Sequence, residues 1–249
     1  MILYSVDDAV ANITLDRPEK RNALNDELIA AIKDGLTKAA GDQNVRVIVI
    51  SGAGKDFCSG ADLSALQKIA RASVAGNVED ARSLLDLFVQ IRQLRVPVVA
   101  AVKGRALAGG CGLATACDLV LAAESARFGY PEVKIGFVPA MVLAILRRNV
   151  SEKRAFELIT RGEEIDAARA EEIGLVNQVF ADETFDQQVN DYLRRFTEVS
   201  STAVALTKSL LYQVDGLAFL EALETGADVN VIARMTEDCQ AGIARFLKK

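Results

Sequence analysis

The feature that most restricts how this chain can fold is a run of small and apolar residues between positions 96 and 132. It opens VPVVAAV, continues through the glycine-rich ALAGGCGLATA, and returns to the apolar LVLAA before Gly129-Tyr130-Pro131-Glu132. Spacing and apolar content predict strands over 96–102 and 119–123. Between them Ala108-Gly109-Gly110 stands where a helix begins, continued by Leu113, Ala114 and Ala116. A helix with no polar face has to be buried. Strand, helix and strand therefore belong in the interior, with one lone glutamate near the helix start.

The first N–H groups of a helix have no internal partner and carry the positive end of its dipole. Glycine there lets a ligand oxygen approach bare backbone. A carbonyl oxygen gaining negative charge would be stabilised at such a place, where one lost donor typically costs roughly 3–4 kcal/mol of transition-state stabilisation. Tight packing of Gly109 and Gly110 beneath a neighbouring strand explains the same residues. The stretch alone does not separate the two.

Histidine is absent from all 249 residues. That removes Ser-His and Cys-His nucleophile pairs, histidine metal ligands and imidazole acid–base catalysis. Proton transfer would fall to a carboxylate first. No metal site is expected. Acidic residues outnumber basic ones, 34 to 29, so nothing points to a nucleic-acid partner. The longest uncharged runs, 106–117 and 135–146, are too short to span a bilayer as helices, so no membrane association is expected. The opening MILYSVDDAV lacks the basic and apolar regions of a signal peptide. Cys58, Cys111, Cys117 and Cys239 show no C-x-x-C spacing, and three lie in apolar segments. Buried free thiols and a cytoplasmic location are the expectation.

Around this centre, residues 2–6 and 9–15 read as a hairpin turning at Asp7-Asp8. Asn25 caps a helix with Leu28, Ile29, Ile32, Leu36 and Ala39 on its apolar face. Residues 45–50 form a β-branched strand, the polar loop 51–62 leads into another helix, and 78–94 is helical through Leu84, Leu85, Phe88 and Ile91. After Ser151 helices predominate: 152–160, 166–173, then a strand at 175–180, then helices to the end. These C-terminal helices are expected to pack on the core or on a neighbouring subunit. Strand pairs followed by helices suggest a coiled structural repeat without a sequence period.

Familiar motifs fail. Gly52-Ala53-Gly54-Lys55 lacks the first glycine of a P-loop, with Val49 in its place, and Asp56 stands at the Ser/Thr position. Gly109-Gly110-Cys111-Gly112 does not fit the dinucleotide fingerprint, and Ser59 has no histidine to activate it. Asp118 and Glu124 read as structural or surface groups. Arg17, Lys20 and Arg21 form a cationic knot that on spacing alone reads as a solvated charge run rather than a phosphate site.

Five segments in order nevertheless carry a resemblance: LDRPEKRNAL at 15–24, FCSGADL at 57–63, PVVAAVKG at 97–104, Ala108-Gly109-Gly110 with Ala116-Cys117-Asp118, and FGYPE at 128–132. The chain resembles the crotonase (enoyl-CoA hydratase/isomerase) superfamily over nearly its whole length. The resemblance implies an α/β fold, a spiral of repeated ββα units over residues 1–190, with a C-terminal helical trimerisation region over 191–249. It implies an acyl-CoA thioester substrate, no cofactor beyond the coenzyme A of that substrate, and a homotrimer or dimer of trimers. By motif match, the N–H groups of Ala61 and Gly109 form an oxyanion hole and Glu132 is the acid/base. Ala23 and Leu24 line the adenine and pantetheine region. Asp62, Leu63, Gly110 and Tyr130 adjoin the substrate, Tyr130 as a holder of water. Arg17, Lys20, Arg21 or Lys55 reach the CoA phosphates, and Phe246 and Lys249 are the loose counterparts of residues that approach CoA from a neighbouring subunit. Leu66, Val74 and Leu85 are taken as acyl-pocket wall.

The chain departs from the family pattern at one point. Hydratases with two carboxylates carry one in the glycine-rich helix, where Gly112 stands here, and isomerases with a later acid would need it at Ala140. Glu132 alone remains. The resemblance implies an enoyl-CoA hydratase working with a single carboxylate. The alternatives are a Δ3,Δ2-enoyl-CoA isomerase on the same residues, and a catalytically weak acyl-CoA-binding protein.

Overall fold

A computed structural model describes residues 1–248; Lys249 lies outside the described residues. Strands β1 (Ile2–Asp7) and β2 (Val10–Leu15) pair antiparallel across a tight turn at Asp8 and Ala9, with φ of 47° and 65°. From β2 the sheet runs parallel through β3 (Val47–Gly52), β4 (Val98–Val102), β6 (Leu119–Ala123) and β9 (Gln178–Phe180), in the order β1-β2-β3-β4-β6-β9. A parallel pair needs a long crossover. These are α1 (Asp26–Gly41), then α2 (Leu63–Arg71) with α3 (Val74–Gln93), then β5 (Arg105–Leu107) with α4 (Gly109–Ala116). The last is β7 (Arg127–Gly129), α5 (Ala140–Asn149), α6 (Glu152–Arg161), β8 (Glu164–Asp166) and α7 (Ala167–Glu172).

β5, β7 and β8 form a second, three-stranded sheet, extended by single bridges Cys58↔Ala106 and Leu24↔Ala61. Each turn of the chain thus supplies one long strand, one short extended segment beside the previous turn's, and a helix. This is the ββα coil the sequence pointed to. The second sheet itself was not predicted, because three-residue strands are too short to show a period of two.

Side chains alternate across the main sheet. Ile48, Ile50, Val98, Ala100 and Val102 face the helices of the coil; Val47, Val49, Val99, Ala101 and Leu121 face Phe185, Val189 and Leu193. The latter three lie on α8 (Phe185–Arg194). The core boundary expected at residue 190 therefore falls inside a helix packed on the sheet. In α1, Asn25 caps by accepting the Leu28 N–H, and every residue of the expected apolar face is buried. In α3, which starts earlier than expected at a Ser73 cap, Leu85 turns outward.

The remaining helices are α9 (Ser201–Gln213), α10 (Phe219–Arg234) and α11 (Glu237–Phe246). One buried amine fastens α9 to the core. Lys208 Nζ lies 2.6 Å from Asp118 Oδ2 and donates to the carbonyls of Ile91 and Val96 at 2.8 and 3.0 Å. The same carboxylate accepts the Val98 N–H and the Tyr212 hydroxyl. Asp118 is structural, as its sequence position suggested. In contrast, α10 and α11 have no buried residue, and Phe219, Leu223, Val231, Met235 and Phe246 point into solvent. No helix among the described residues is long and apolar enough to cross a membrane.

Candidate active site

The site forms where three successive turns of the coil meet. In the first, Leu24 pairs with the loop after β3: its N–H donates to the Gly60 carbonyl at 2.7 Å, and the Asp62 N–H donates to the Leu24 carbonyl at 2.9 Å. In a parallel bridge, the residue opposite directs its own N–H away from the pairing partner. Ala61 is that residue, and its N–H has no acceptor among the described residues. The N–H of Gly109, first in α4, is likewise free, as helix geometry requires.

The two donors are held side by side by close contacts. A Cβ at Gly60 would stand 2.8 Å from Ala108 Cβ and 3.7 Å from Gly109 N, and Gly60 has φ +97°. Ala108 itself sits at φ 50°, ψ −127°, a region almost reserved for glycine, pinned by its N–H to the Gly129 carbonyl at 2.9 Å. The glycines of α4 turn out to divide the two roles the sequence left open. Gly110 is a packing glycine: a Cβ there would lie 2.2 Å from the Cys58 carbonyl oxygen. Gly109 is half-exposed and would meet only Leu24 Cδ1, at 3.3 Å.

Glu132 lies in the 3-10 turn Pro131–Ile135 that follows β7 and is closed by Gly136 in the left-handed region. Its carboxyl is half-buried, and Oε2 is fully buried without a hydrogen-bond partner among the described residues. Burial raises its pKa above the usual carboxylate value. A carboxylate kept short of hydrogen bonds is a better base.

Tyr130 does not serve as expected. The ring is fully buried, and its hydroxyl lies 2.7 Å from Thr115 Oγ1. Thr115 gives its own proton to the Cys111 carbonyl, so Tyr130 is the donor in the pair. The hydroxyl ties the Glu132 turn to α4 and has no exposed surface of its own. Thr115, unnoticed in the sequence, is the other half of that tie.

Arg17 and Asp62 are also corrected. Arg17 Nη2 donates to Asp62 Oδ2 at 2.7 Å, with side-chain exposures of 13% and 9%. Arg17 Nη1 donates to the Ala23 carbonyl. Asp62 Oδ1 caps α2 by accepting the Ser64 N–H, and the hydrogen bond from Arg17 holds its carboxyl below the usual range. Neither side chain is free for a phosphate or an acyl group. Below them Asn22, fully buried, accepts the Arg17 N–H and donates to the carbonyls of Ala53 and Asp56. Lys20, Arg21 and Lys55 remain on the surface nearby. Ala23 and Leu24 are buried beneath the donors, and Leu63 is 70% exposed at the start of α2. Phe246 lies far along the exposed C-terminal helix, and Lys249 is outside the described residues. Of the suggested pocket wall, Leu66 is half-buried, whereas Val74 and Leu85 face outward at 84% and 42% exposure.

Gly112 is walled in. A Cβ there would lie 2.6 Å from Val142 Cγ2 and 3.4 Å from Phe88 Cζ, and both of those side chains are buried. A carboxylate side chain at position 112 would have to displace Val142. Among the described residues no three His, Cys, Asp or Glu side chains converge as metal ligands. The three cysteines nearest the site are buried free thiols, with Cys58 and Cys111 pushed up to about 12 by burial. What the arrangement presents is two backbone N–H groups without an acceptor among the described residues and one raised-pKa carboxyl.

Comparison with known proteins gives a consistent result. Residues 5–249 match the family profile described as enoyl-CoA hydratase/isomerase. A Thermus thermophilus protein provisionally named an enoyl-CoA hydratase is 38% identical, over 96% of this chain and 95% of its own. The 2,3-dehydroadipyl-CoA hydratase of Escherichia coli is 34% identical over 100% of this chain and 96% of its own. The crystal structure of an enoyl-CoA hydratase from Mycobacterium smegmatis superposes with a TM-score of 0.94 at 31% identity, covering 99% and 96% of the two chains.

Proposed function

The chain belongs to the enoyl-CoA hydratase/isomerase family, and we propose that within it the protein is an enoyl-CoA hydratase adding water to a 2-enoyl thioester with one carboxylate. The thioester oxygen accepts the Ala61 and Gly109 N–H groups. As water attacks C3, the Glu132 carboxylate takes its proton and the double-bond electrons move onto the carbonyl oxygen as an enolate. The enolate collapses by taking the same proton from Glu132 at C2, on the same face, so the addition is syn and the carboxylate is regenerated. The observation that carries this reading is the buried Glu132 Oε2 without a partner. Lys20, Arg21 and Lys55 supply surface cations for the CoA phosphates, and the outward apolar side chains of α10 and α11 support assembly with further copies, as a trimer.

The closure around Gly112 favours a second reading. An isomerase needs only one base, which removes the C2 proton of a 3-enoyl thioester and returns it at C4. The two are separated by following the absorbance of the conjugated thioester with crotonyl-CoA and with a 3-enoyl-CoA, Glu132→Gln beside wild type. A fall with crotonyl-CoA that the substitution abolishes supports hydration; a rise with the 3-enoyl substrate alone makes it an isomerase. Because the base must be ionised and burial raises its pKa, kcat/KM rises with pH through a value above the ordinary 4.5. Wild-type rates in Glu132→Gln would remove Glu132 from the chemistry. Ligand binding without turnover on either substrate would leave an acyl-CoA-binding protein.

A further inference from the structure

We propose that Arg17 is a positioning residue for the oxyanion donor Ala61, not a phosphate ligand. The inference rests on the reading of Ala61 as a donor given above. The direction of the Ala61 N–H is fixed by the bridge to Leu24, and that bridge is two hydrogen bonds long. Nothing in so short a pairing holds its register by itself. Arg17 supplies the missing constraint: one planar guanidinium spans both strands of the bridge. Nη1 donates to the carbonyl of Ala23, the residue before Leu24. Nη2 donates at 2.7 Å to the carboxylate of Asp62, the residue after Ala61. The fork is rigid, so the two flanking residues are held at one separation. A lysine, a point charge on a flexible stem, cannot satisfy both.

The other end of Arg17 is equally fixed. Its N–H donates to Asn22 Oδ1 at 2.9 Å, and Asn22 is anchored to the loop after β3 at Ala53 and Asp56. Asp62 is anchored in turn at the start of α2 through the Ser64 N–H at 3.1 Å. Swinging Arg17 outward to a phosphate would strand the Asp62 carboxylate in a buried place without its cation, which is strongly disfavoured. Arg17 thus acts on the reaction only through the peptide of Ala61.

The test uses Arg17→Lys and Asp62→Asn, each first checked for a native circular-dichroism spectrum, so that at least one folded variant reports. Rates are measured on crotonyl-CoA and on the crotonyl thioester of pantetheine, which carries no phosphate. A push–pull cinnamoyl-CoA, whose absorbance moves to the red when its carbonyl is polarised, reads the oxyanion site without turnover. Misplacing one donor by about 1 Å costs about 100-fold. A fall of that size in kcat is expected on both thioesters alike, with KM within about threefold and the red shift lost. A loss confined to the CoA ester and expressed in KM overturns the proposal in favour of a phosphate contact, and so does a lowered kcat with the red shift intact. If wild type turns over neither thioester yet shifts the chromophore, the hydratase reading fails, and loss of that shift in the variants still supports the role of Arg17. No shift with wild type overturns both.

Discussion

Gly112 and Val142 lie thirty residues apart in sequence and are packed together in space, and that packing limits what side chain position 112 can carry. Introducing Ala at position 112 places a Cβ 2.6 Å from Val142 Cγ2. Carbon atoms settle at about 3.5–4.0 Å, so the overlap is about 1 Å between two buried groups. Overpacking of this kind costs about 1–3 kcal/mol. Replacing a helical glycine by alanine recovers about 1 kcal/mol of backbone entropy and propensity. Gly112→Ala alone should therefore destabilise by about 1 kcal/mol. Val142→Ala removes two methyl groups and leaves a cavity, at about 2–3 kcal/mol. In that background the clash is gone, and adding Ala at 112 should stabilise by about 1 kcal/mol. The expected coupling is thus about 2 kcal/mol, with a change of sign. Urea unfolding of the four proteins at one fixed concentration measures it. The same cost for Gly112→Ala in both backgrounds, within about 0.5 kcal/mol, would refute the idea that Val142 closes the position. The functional corollary is that Gly112→Glu cannot install a second acid unless Val142 is cut back with it.

Two further outcomes follow from strain and burial. Ala108→Gly releases a residue from φ 50°, ψ −127°; offset by glycine's own entropy, the gain is about 1 kcal/mol, or about 2–4 °C in Tm. The same change loosens the Gly109 donor, so kcat should fall about tenfold or more; a variant both more stable and equally active would show that the strain has no catalytic use. Lys208→Met breaks a buried ion pair and should cost about 3–5 kcal/mol, because Asp118 stays buried without its cation. Burial lowers the Lys208 pKa below 10.5, so the native state binds this proton more weakly than the unfolded chain. The cost of charging it is present at neutral pH and is relieved as pH climbs from the lowered value to 10.5. Wild-type urea midpoints should show that alkaline gain and Lys208→Met should lack it; identical slopes in the two proteins would sink the assignment.

The sequence revealed what local chemistry controls. The Asn25 cap, the apolar face of α1, the strand 119–123 and the buried α4 each depend on residues close together in the chain, and each was found where expected. The second sheet escaped because its strands are three residues long and its partners lie on other turns. Side-chain direction escaped for the same reason. Arg17, Lys20 and Arg21 look alike as a run of cations, but only Arg17 turns inward, and only because Asp62 and the Ala23 carbonyl arrive to meet it. Tyr130 beside Glu132 invites a polar role at the surface of a pocket; Thr115, fifteen residues earlier, removes it. The sequence signal for Arg17 is the single acid in the apolar FCSGADL segment, which needs a cation if it is buried.

The placement of these ties explains why the site is made of small residues. The two donors proposed for it are main-chain groups, and a main-chain donor is aimed only by fixing the peptide on either side of it. Every such fixing is made by an adjacent turn of the coil: Leu24 holds Gly60 and Asp62, the Gly129 carbonyl holds Ala108, and Tyr130 is tied to α4 through Thr115. Those turns must approach until a Cβ at position 60 would overlap Ala108 and one at position 110 would overlap Cys58. Glycine at 60 and 110 is therefore a condition for the contacts, and the contacts are the condition for the donors. Glu132 follows β7 on the next turn, so the proposed acid and donors are carried by successive rungs of one ladder of short hydrogen-bonded bridges. Chemistry placed on such a ladder tolerates varied helices around it, provided the ladder keeps its spacing.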